Sequence, residues 1–148
     1  MGKIIYRKAV KTDMPRILDL LKAFDLNMSD LKTEAFAVAD DGGIAVGCCR
    51  IIELGGGCLE LASVAVALDH QKTGIGGNLV KFILGCDRRR PIYLMCRAKK
   101  EEFYARNGFK IIPDENTPPA FFAKIKALIE KSKKSCFCAE GISMVKND

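Results

Sequence analysis

One segment of the chain has the residue types and the spacing to hold an anion. The apolar run Leu59–Ala67 ends close to Asp69, and the segment Gln71–Gly77 follows it with the sequence Gln-Lys-Thr-Gly-Ile-Gly-Gly. Apolar residues then recur at helical spacing from Ile75 onward, so the glycines are predicted to form the first turn of a helix. The backbone N–H groups of such a turn have no helical partner and bind phosphate groups well where no side chain obstructs them. We call Gln71–Gly77 the glycine loop.

Two other glycine-rich phosphate loops do not fit the glycine loop. A P-loop needs Gly, four residues and then Gly-Lys-Ser/Thr, whereas Lys72 and Thr73 precede the glycines here. The dinucleotide fingerprint needs a third glycine where Leu79 stands. The order that does match is Gln-x-x-Gly-x-Gly after a valine-containing strand.

A second motif lies further along the chain, at Phe103–Phe109, with the sequence Phe-Tyr-Ala-Arg-Asn-Gly-Phe. The pair Asn107-Gly108 is typical of a helix end with glycine in the left-handed conformation, and a strand is predicted to start at Phe109. In order and separation, the two motifs together resemble the pyrophosphate loop and the Phe-Tyr-x-x-x-Gly-Phe element of the GNAT superfamily. Its members are acyl-CoA-dependent N-acyltransferases.

The resemblance implies acetyl-CoA as cosubstrate, no metal, and a primary amine of a small molecule, such as an amino acid, attacking directly in a ternary complex. In the family, main-chain groups near a bulge in a central strand hold the pantetheine arm, and the following loop holds the pyrophosphate. The coenzyme-binding residues implied in this way are Ala65, Val66, Gln71, Lys72, Thr73, Gly74, Ile75, Gly76 and Gly77.

Acyl transfer to an amine requires a base, a polarised thioester carbonyl and a proton for the leaving thiolate. Tyr104 aligns with a tyrosine that many family members place near the coenzyme sulfur, and a phenol carries a proton at neutral pH. Glu60 is the candidate base, because its even spacing from Val66 predicts that both lie on one face of a strand. The alternative for Glu60 is an ordinary polar residue at a strand start. His70 is the only histidine and is interpreted as a solvated loop residue.

The elements that must position these residues follow from hydrophobic periodicity and turn signals. They predict an α/β fold, a GNAT-type three-layer sandwich whose mixed, mostly antiparallel central sheet is flanked by helices. Thr12 is predicted to cap the first helix. The predicted strands are 3–10, 35–39, 44–54, 58–67, 91–97, 109–112 and 142–146, and the later helices are 74–85, one ending at Asn107, and 118–131.

Length and composition favour one compact cytoplasmic domain. The 148 residues, 49% of them apolar, suit a single domain over residues 1–148. No signal peptide or membrane-spanning apolar run is recognisable, so no membrane partner is expected. The seven cysteines are expected to be reduced. Cys136 and Cys138 have no spaced second pair of the kind that zinc sites use, so buried thiols are favoured there.

The formal charge of +6 is concentrated in the second half of the chain, where Arg88-Arg89-Arg90 follows a predicted helix. In the first interpretation, the positive charges interact favourably with the negative end of the helix dipole. In the second, the arginines form a basic rim that attracts the phosphates of coenzyme A. A nucleic-acid interface is the third interpretation. No aromatic residues interleave with the arginines and no recognition motif accompanies them, so no nucleic-acid partner is predicted.

The C-terminal region provides the prediction of the acceptor amine. A Pro-led helix, two cysteines and a last strand ending in Met-Val-Lys resemble short N-acetylglutamate-synthase-like acetyltransferases. This implies the α-amine of an acidic amino acid as acceptor, with Arg7, Lys8 or Arg97 holding its carboxylates. Final strands pair between subunits in many members of the superfamily, so a homodimer is compatible with the sequence. A non-catalytic acyl-CoA-binding sensing module remains the alternative to an enzyme.

Overall fold

The computed structural model describes residues 2–132 and 141–148. Within these ranges it has a mixed α/β architecture, and the predicted fold class is confirmed. Seven strands form one sheet in the order β1-β2-β3-β4-β5-β7-β6, and only the β4–β5 pair is assigned as parallel among the pairings described. The elements are β1 (Ile4–Lys8), α1 (Met14–Ala23), β2 (Phe36–Asp41), β3 (Ile44–Gly55), β4 (Cys58–Val66), α2 (Ile75–Cys86), β5 (Ile92–Arg97), α3 (Glu101–Ala105), β6 (Lys110–Ile111), α4 (Pro119–Ser132) and β7 (Gly141–Lys146).

The start of α1 differs from the prediction. Thr12 does not cap the helix; it lies in a short 3-10 turn, Lys11–Asp13, that precedes it. The carboxylate of Asp13 accepts a hydrogen bond from the backbone N–H of Val10 at 2.8 Å and two more from the Arg7 guanidinium at 2.8 and 2.9 Å. A carboxylate makes stronger hydrogen bonds than a hydroxyl, especially to a guanidinium, so Asp13 fixes this corner.

The chain divides into two compact units, and strands β3 and β4 run through both. The first unit comprises the residues up to Ile51 together with Leu61–Arg88. It holds α1, α2, β1, β2 and the adjoining parts of β3 and β4. Helix α2 packs on β1 and β2 through one apolar face, on which Leu79 and Ile83 are fully buried. This periodic burial is what the spacing after the glycine loop predicted.

The second unit comprises Ile52–Glu60 and Arg89–Asp148. Its strand β5 pairs in parallel with the start of β4 and antiparallel with β7, and β6 pairs with the other side of β7. A small core forms where Phe121 and Ile125 of α4 pack with Cys58, and the ring of Tyr93 lies 5.6 Å from that of Phe121. The single domain expected over residues 1–148 stays a prediction.

In the part of the chain that the structure describes, no helix is long and apolar enough to cross a bilayer. The described cysteines are all free thiols, and Cys48, Cys49 and Cys58 are buried. Cys136 and Cys138 lie outside the described residues.

Gly47 of β3 permits the close packing of α2 on the strand. A Cβ atom at this position would lie 3.0 Å from Cδ1 of Leu79 and 3.3 Å from the carbonyl oxygen of Ala65. We therefore expect Gly47→Ala to lower the free energy of unfolding by about 1–3 kcal/mol, as other overpacked sites do. Urea denaturation monitored by circular dichroism measures this change.

Gly85→Ala is the matched control, since a Cβ atom there meets no other atom within 4 Å. This substitution in α2 is expected to stabilise the protein by about 0.5–1 kcal/mol, because alanine has the higher helix propensity. Equal stabilities for wild type and Gly47→Ala would contradict the packing argument.

Candidate active site

The glycine loop is folded by its own polar side chains. The Nε2 of Gln71 donates to the carbonyl oxygen of Val66 at 2.9 Å, which ties the loop to the end of β4. The hydroxyl of Thr73 donates to the carbonyl oxygen of His70 at 2.5 Å. Lys72 has a positive φ of 63°. Two of the side chains predicted to bind coenzyme thus shape the loop, and its backbone is left to contact a ligand.

The loop ends at Gly74, which is the N-cap of α2 and has φ 85° and ψ 0°. This left-handed conformation is unfavourable for residues with a Cβ atom, so glycine is required where the chain turns into the helix. A Cβ atom at Gly74 or Gly77 would meet no other atom within 4 Å, so both glycines border open space. The first N–H groups of α2 have no partner within the helix and lie at the positive end of its dipole. This arrangement fits a pyrophosphate group, and the binding of one by the glycine loop stays a prediction.

Strand β4 is irregular just before the predicted pantetheine contacts. Ser63 has φ 58° inside the strand, a conformation that marks a local break in the extended chain. Beyond it, Ala65 is buried, and Ala67 donates its backbone N–H to the carbonyl oxygen of Val46 at 2.8 Å. The structure therefore brings Ala65, Val66 and the glycine loop together in the first unit. Their roles toward a coenzyme stay predictions.

Glu60 lies in the second unit and has a direct ionic partner. Its side chain is 7% exposed, and its carboxylate accepts a hydrogen bond from the ammonium group of Lys124 on α4. The surroundings are poor in water: burial raises the pKa of Cys58, with the charge of Glu60 as a second cause, and burial also raises that of Tyr93. The prediction that Glu60 and Val66 lie on one face of the strand assumed that side chains alternate regularly along it. The positive φ of Ser63 interrupts this alternation, so the prediction loses its basis.

Lys124 was not among the predicted site residues. The sequence does carry a sign of its role. Lys124 lies three residues after Phe121 and directly before Ile125, which are both buried, so a lysine stands close to the apolar face of the predicted helix. A cation in such a position needs an anionic partner. The partner, Glu60, is 64 residues away in the chain, and only the tertiary structure identifies it.

Tyr104 lies in the short helix α3 of the second unit and is held by aromatic contacts. Its ring makes edge contacts with the rings of Phe103, with centroids 4.9 Å apart, and Phe109, with centroids 6.0 Å apart. The helix stop is confirmed: Gly108 has φ 92°, and Phe109 donates its N–H to the carbonyl oxygen of Tyr104 at 3.1 Å. The side-chain amide of Asn107 donates to the carbonyl oxygen of Phe103 at 2.9 Å. The motif thus fixes the position of a half-buried phenol.

His70 differs from the solvated loop residue that was expected. One ring nitrogen lies 2.9 Å from Oδ2 of Asp41 at the end of β2, and the other lies 2.8 Å from Oδ1 of Asp69. The hydrogen bond with Asp41, followed by the one with Asp69, raises the pKa of His70 above its ordinary value. His70 therefore links the start of the glycine loop to the β2–β3 hairpin. Both of its ring nitrogens are engaged by carboxylates, which favours a structural role over that of a catalytic base.

Arg7 is also committed to the fold. Its guanidinium contacts Asp13 and donates from Nε to Asp40 at 2.9 Å, and these two carboxylates raise its pKa. A guanidinium engaged with two carboxylates is not available to clamp those of a substrate, so this part of the acceptor prediction is not supported. Lys8 and Arg97 are exposed.

A family model for the acetyltransferase (GNAT) domain matches residues 32–111, a range that includes β4, the glycine loop and the Phe-Tyr motif. The chain belongs to the GNAT family. The transferase class predicted from the two motifs is thereby confirmed. A comparison of this GNAT acetyltransferase with curated proteins finds no match.

Solved structures of similar fold cover nearly the whole GNAT chain. Rv2747 from Mycobacterium tuberculosis, in complex with CoA and NLQ, matches with a TM-score of 0.78 and 20% identity over 97% of this chain and 99% of its own. N-acetylglutamate synthase from Neisseria gonorrhoeae, complexed with coenzyme A and N-acetyl-glutamate, matches with a TM-score of 0.73 and 19% identity. That match covers 99% of this chain but 35% of the synthase. Escherichia coli ElaA matches with a TM-score of 0.69, 15% identity and coverage of 99% and 100%. At these identities the matches show the shared fold.

Potential metal ligands are dispersed in the described part of the GNAT chain. No group of three or more His, Cys, Asp or Glu side chains there is arranged to hold a metal ion.

The contacts of His70 predict how the stability of this GNAT protein depends on pH. Because its folded-state pKa is raised above 6.5, the stabilisation by the two carboxylates is fully present below about pH 6.5 and is lost as the pH rises through the raised value. We expect the melting temperature of wild type to be higher than that of His70→Asn at pH 6, and the difference between the two to become smaller toward pH 9. Thermal melting of both proteins across this range measures it.

Asp69→Asn is the control for this prediction, because Asp69 is 81% exposed and its ion pair is screened by water and salt. Its effect is expected to be smaller than that of Asp41→Asn, since Asp41 is 19% exposed. A difference between wild type and His70→Asn that does not change with pH would refute the ionic role of His70.

Proposed function

We propose that this protein transfers an acetyl group from acetyl-CoA to the primary amine of a small molecule, by direct attack within a ternary complex. The observation that carries the proposal is the start of α2, where Gly74 is left-handed and Gly77 borders open space. The first N–H groups of α2 have no partner within the helix. Membership of the GNAT family supports the same reaction class.

In the proposed complex, the backbone N–H groups of Ile75, Gly76 and Gly77 bind the pyrophosphate, with help from the dipole of α2. Main-chain groups of Ala65 and Val66 bind the pantetheine arm. Bound acetyl-CoA supplies a thioester as the activated acetyl donor. The N–H of Val66 polarises the thioester carbonyl, which makes the carbonyl carbon more susceptible to attack.

The proton transfers are assigned to two side chains. As the amine nitrogen forms its bond to the acetyl carbon, the carbon–sulfur bond breaks and the sulfur takes a proton from the phenol of Tyr104. We propose Glu60 as the group that accepts the proton lost by the amine, directly or through a water molecule. Lys124, through its ion pair with Glu60, holds the carboxylate in position.

For the acceptor, we propose the α-amine of an acidic amino acid. The similarity in fold to a synthase complexed with N-acetyl-glutamate supports this choice, although the chain spans only 35% of that protein. Of the three candidates for a carboxylate contact, Arg7 is engaged with aspartates, and Lys8 or Arg97 is proposed instead because both are exposed. A cytoplasmic location and a homodimer remain predictions from the sequence.

One observation favours a second function, that of a non-catalytic acyl-CoA-binding sensing module. The carboxylate of Glu60 is already engaged by Lys124, and an ion pair weakens a carboxylate as a base. Thermal melting with acetyl-CoA, CoA and ATP, followed by thiol release with a panel of amino acids and polyamines, separates the two functions. Stabilisation by both coenzymes with thiol release supports the enzyme, whereas stabilisation without release from any amine supports the sensor.

Gly76→Glu tests the coenzyme site. The substitution places a side chain and a negative charge where the pyrophosphate is proposed to bind, so the rise in melting temperature caused by CoA should be lost. Gly85→Glu is the matched control, because it introduces the same residue near the other end of α2. The control should retain the CoA-dependent rise. Unchanged CoA binding in Gly76→Glu would exclude the glycine loop as the coenzyme site.

Tyr104→Phe tests the proton donor. The phenylalanine ring keeps the aromatic contacts with Phe103 and Phe109 but has no proton to give, so kcat should fall about 100-fold while the CoA affinity stays the same. Steady-state thiol release and CoA titration measure the two quantities. Tyr6→Phe, which removes another phenol in the chain, should retain turnover. Full activity in Tyr104→Phe would remove this residue from the mechanism.

A further inference from the structure

Arg50 of β3 is completely buried, and its guanidinium joins two irregular parts of the first unit. Its Nε donates to the hydroxyl of Ser63 at 2.9 Å. Its Nη1 donates to the carbonyl oxygens of Ser29 at 3.0 Å and Asp30 at 3.1 Å, and its Nη2 donates to that of Asn27 at 3.1 Å. One side chain therefore holds the connection between α1 and β2 against the break in β4.

Each of the two parts that Arg50 joins contains a residue in a strained conformation. Asp30 has φ 52° and Ser63 has φ 58°, values that residues with a Cβ atom rarely adopt. Such conformations persist when surrounding contacts impose them, and they are concentrated at functional sites. The contacts of Arg50 are supplemented by the thiol of Cys48, which lies 3.5 Å from the carbonyl oxygen of Ser63, and by the ring of Phe36, whose centroid lies 5.2 Å from the guanidinium carbon.

A buried guanidinium is a costly way to stabilise a core, because the charge loses its hydration. Its planar donors can, however, hold several acceptors in one fixed arrangement. Three of the acceptors here are carbonyls of the segment Asn27–Asp30, which lies outside every helix and strand of the structure. The residue type is therefore suited to positioning this segment.

We propose that Arg50 is a positioning residue that fixes the segment Asn27–Asp30 beside the break at Ser63, and thereby sets the geometry in which the acceptor amine meets the acetyl group. The proposal rests on the proposed function, in which Ala65 and Val66, just beyond the break, present the thioester. Because the segment and Ser63 bind the same guanidinium, the segment lies next to this part of β4. In the proposed complex, this places the segment beside the part of β4 that presents the thioester.

Arg50→Lys tests the proposal, because a lysine keeps the charge but cannot reach the same set of acceptors. We expect the KM for the most active amine of the panel, with L-glutamate tried first, to rise about tenfold or more, since misplaced substrate contacts have effects of this size. The CoA-dependent rise in melting temperature should stay unchanged. Hydrogen–deuterium exchange of the amides in residues 26–35 should become faster.

Arg16→Lys is the matched control, since Nε of Arg16 donates to the carbonyl oxygen of Ala45 on the same strand at 3.0 Å. It should change neither the amine KM nor the exchange of residues 26–35. Ser63→Gly is the second variant, in case Arg50→Lys does not fold. Glycine adopts the same positive φ, so only the hydroxyl contact is lost, and the amine KM and the exchange should change in the same direction but by less.

The outcomes separate this proposal from the proposed function. Unchanged exchange and unchanged amine KM in the Arg50 and Ser63 variants would overturn the role of Arg50, as would equal weakening of amine and CoA binding. If wild type shows no CoA-dependent stabilisation and no thiol release, the proposed function fails. Faster exchange in Arg50→Lys would then still support the positioning of the segment, and unchanged exchange would refute it.

Discussion

The left-handed turn at Gly74 is the constraint on which the candidate coenzyme site depends. The chain must leave β4, reverse over a few residues and begin α2, whose first N–H groups have no partner within the helix. A residue with a Cβ atom would oppose the φ of 85° at this position. Gln71 and Thr73 then complete the turn through hydrogen bonds to the backbone. The loop is thus suited to recognise a ligand through its backbone, with its side chains acting as internal supports.

Charged side chains hold the irregular segments of the first unit. Asp13 and Asp40 bind Arg7, Asp41 binds His70, and the Arg50 guanidinium binds the connection after α1. Loops cannot satisfy their backbone groups through helix or sheet hydrogen bonds, so side chains from neighbouring elements supply partners. A charged donor forms stronger bonds than a neutral one. The first unit therefore places its charged side chains where regular structure ends.

The second unit uses its polar groups differently. Glu60 and Lys124 form an ion pair beside an apolar cluster, and Tyr104 is held between two aromatic rings. In such surroundings a charge interacts strongly with its neighbours because little water screens it. The ion pair between Glu60 and Lys124 is therefore screened less than a pair on the surface. The same ion pair fits both proposed functions: it holds Glu60 in place as a base in the enzyme, and it is a structural contact in the sensing module.

The sequence by itself determined the features that depend on neighbours along the chain. The left-handed glycine at 108, the amphipathic face of α2 and the order of strands and helices are encoded by residues close together in the chain. Gly74 was predicted to lie in the first turn of α2, whereas it is the left-handed N-cap. Local spacing therefore predicted the fold class and the two motifs. It also suggested Thr12 as a helix cap, and this was wrong because Thr12 lies in a 3-10 turn before α1, which Asp13 stabilises by binding Arg7 and the N–H of Val10.

Only the tertiary structure decided which polar side chains meet. The partners of His70, Arg50 and Glu60 that carry the argument include residues 29, 23 and 64 positions away, respectively. No periodicity encodes such pairs, because they depend on how strands align and how helices pack on them. For the same reason the sequence could propose Glu60 as a base but could not reveal Lys124 beside it. The sequence determined where the backbone must turn, and the packing of distant elements decided which charges are buried and paired.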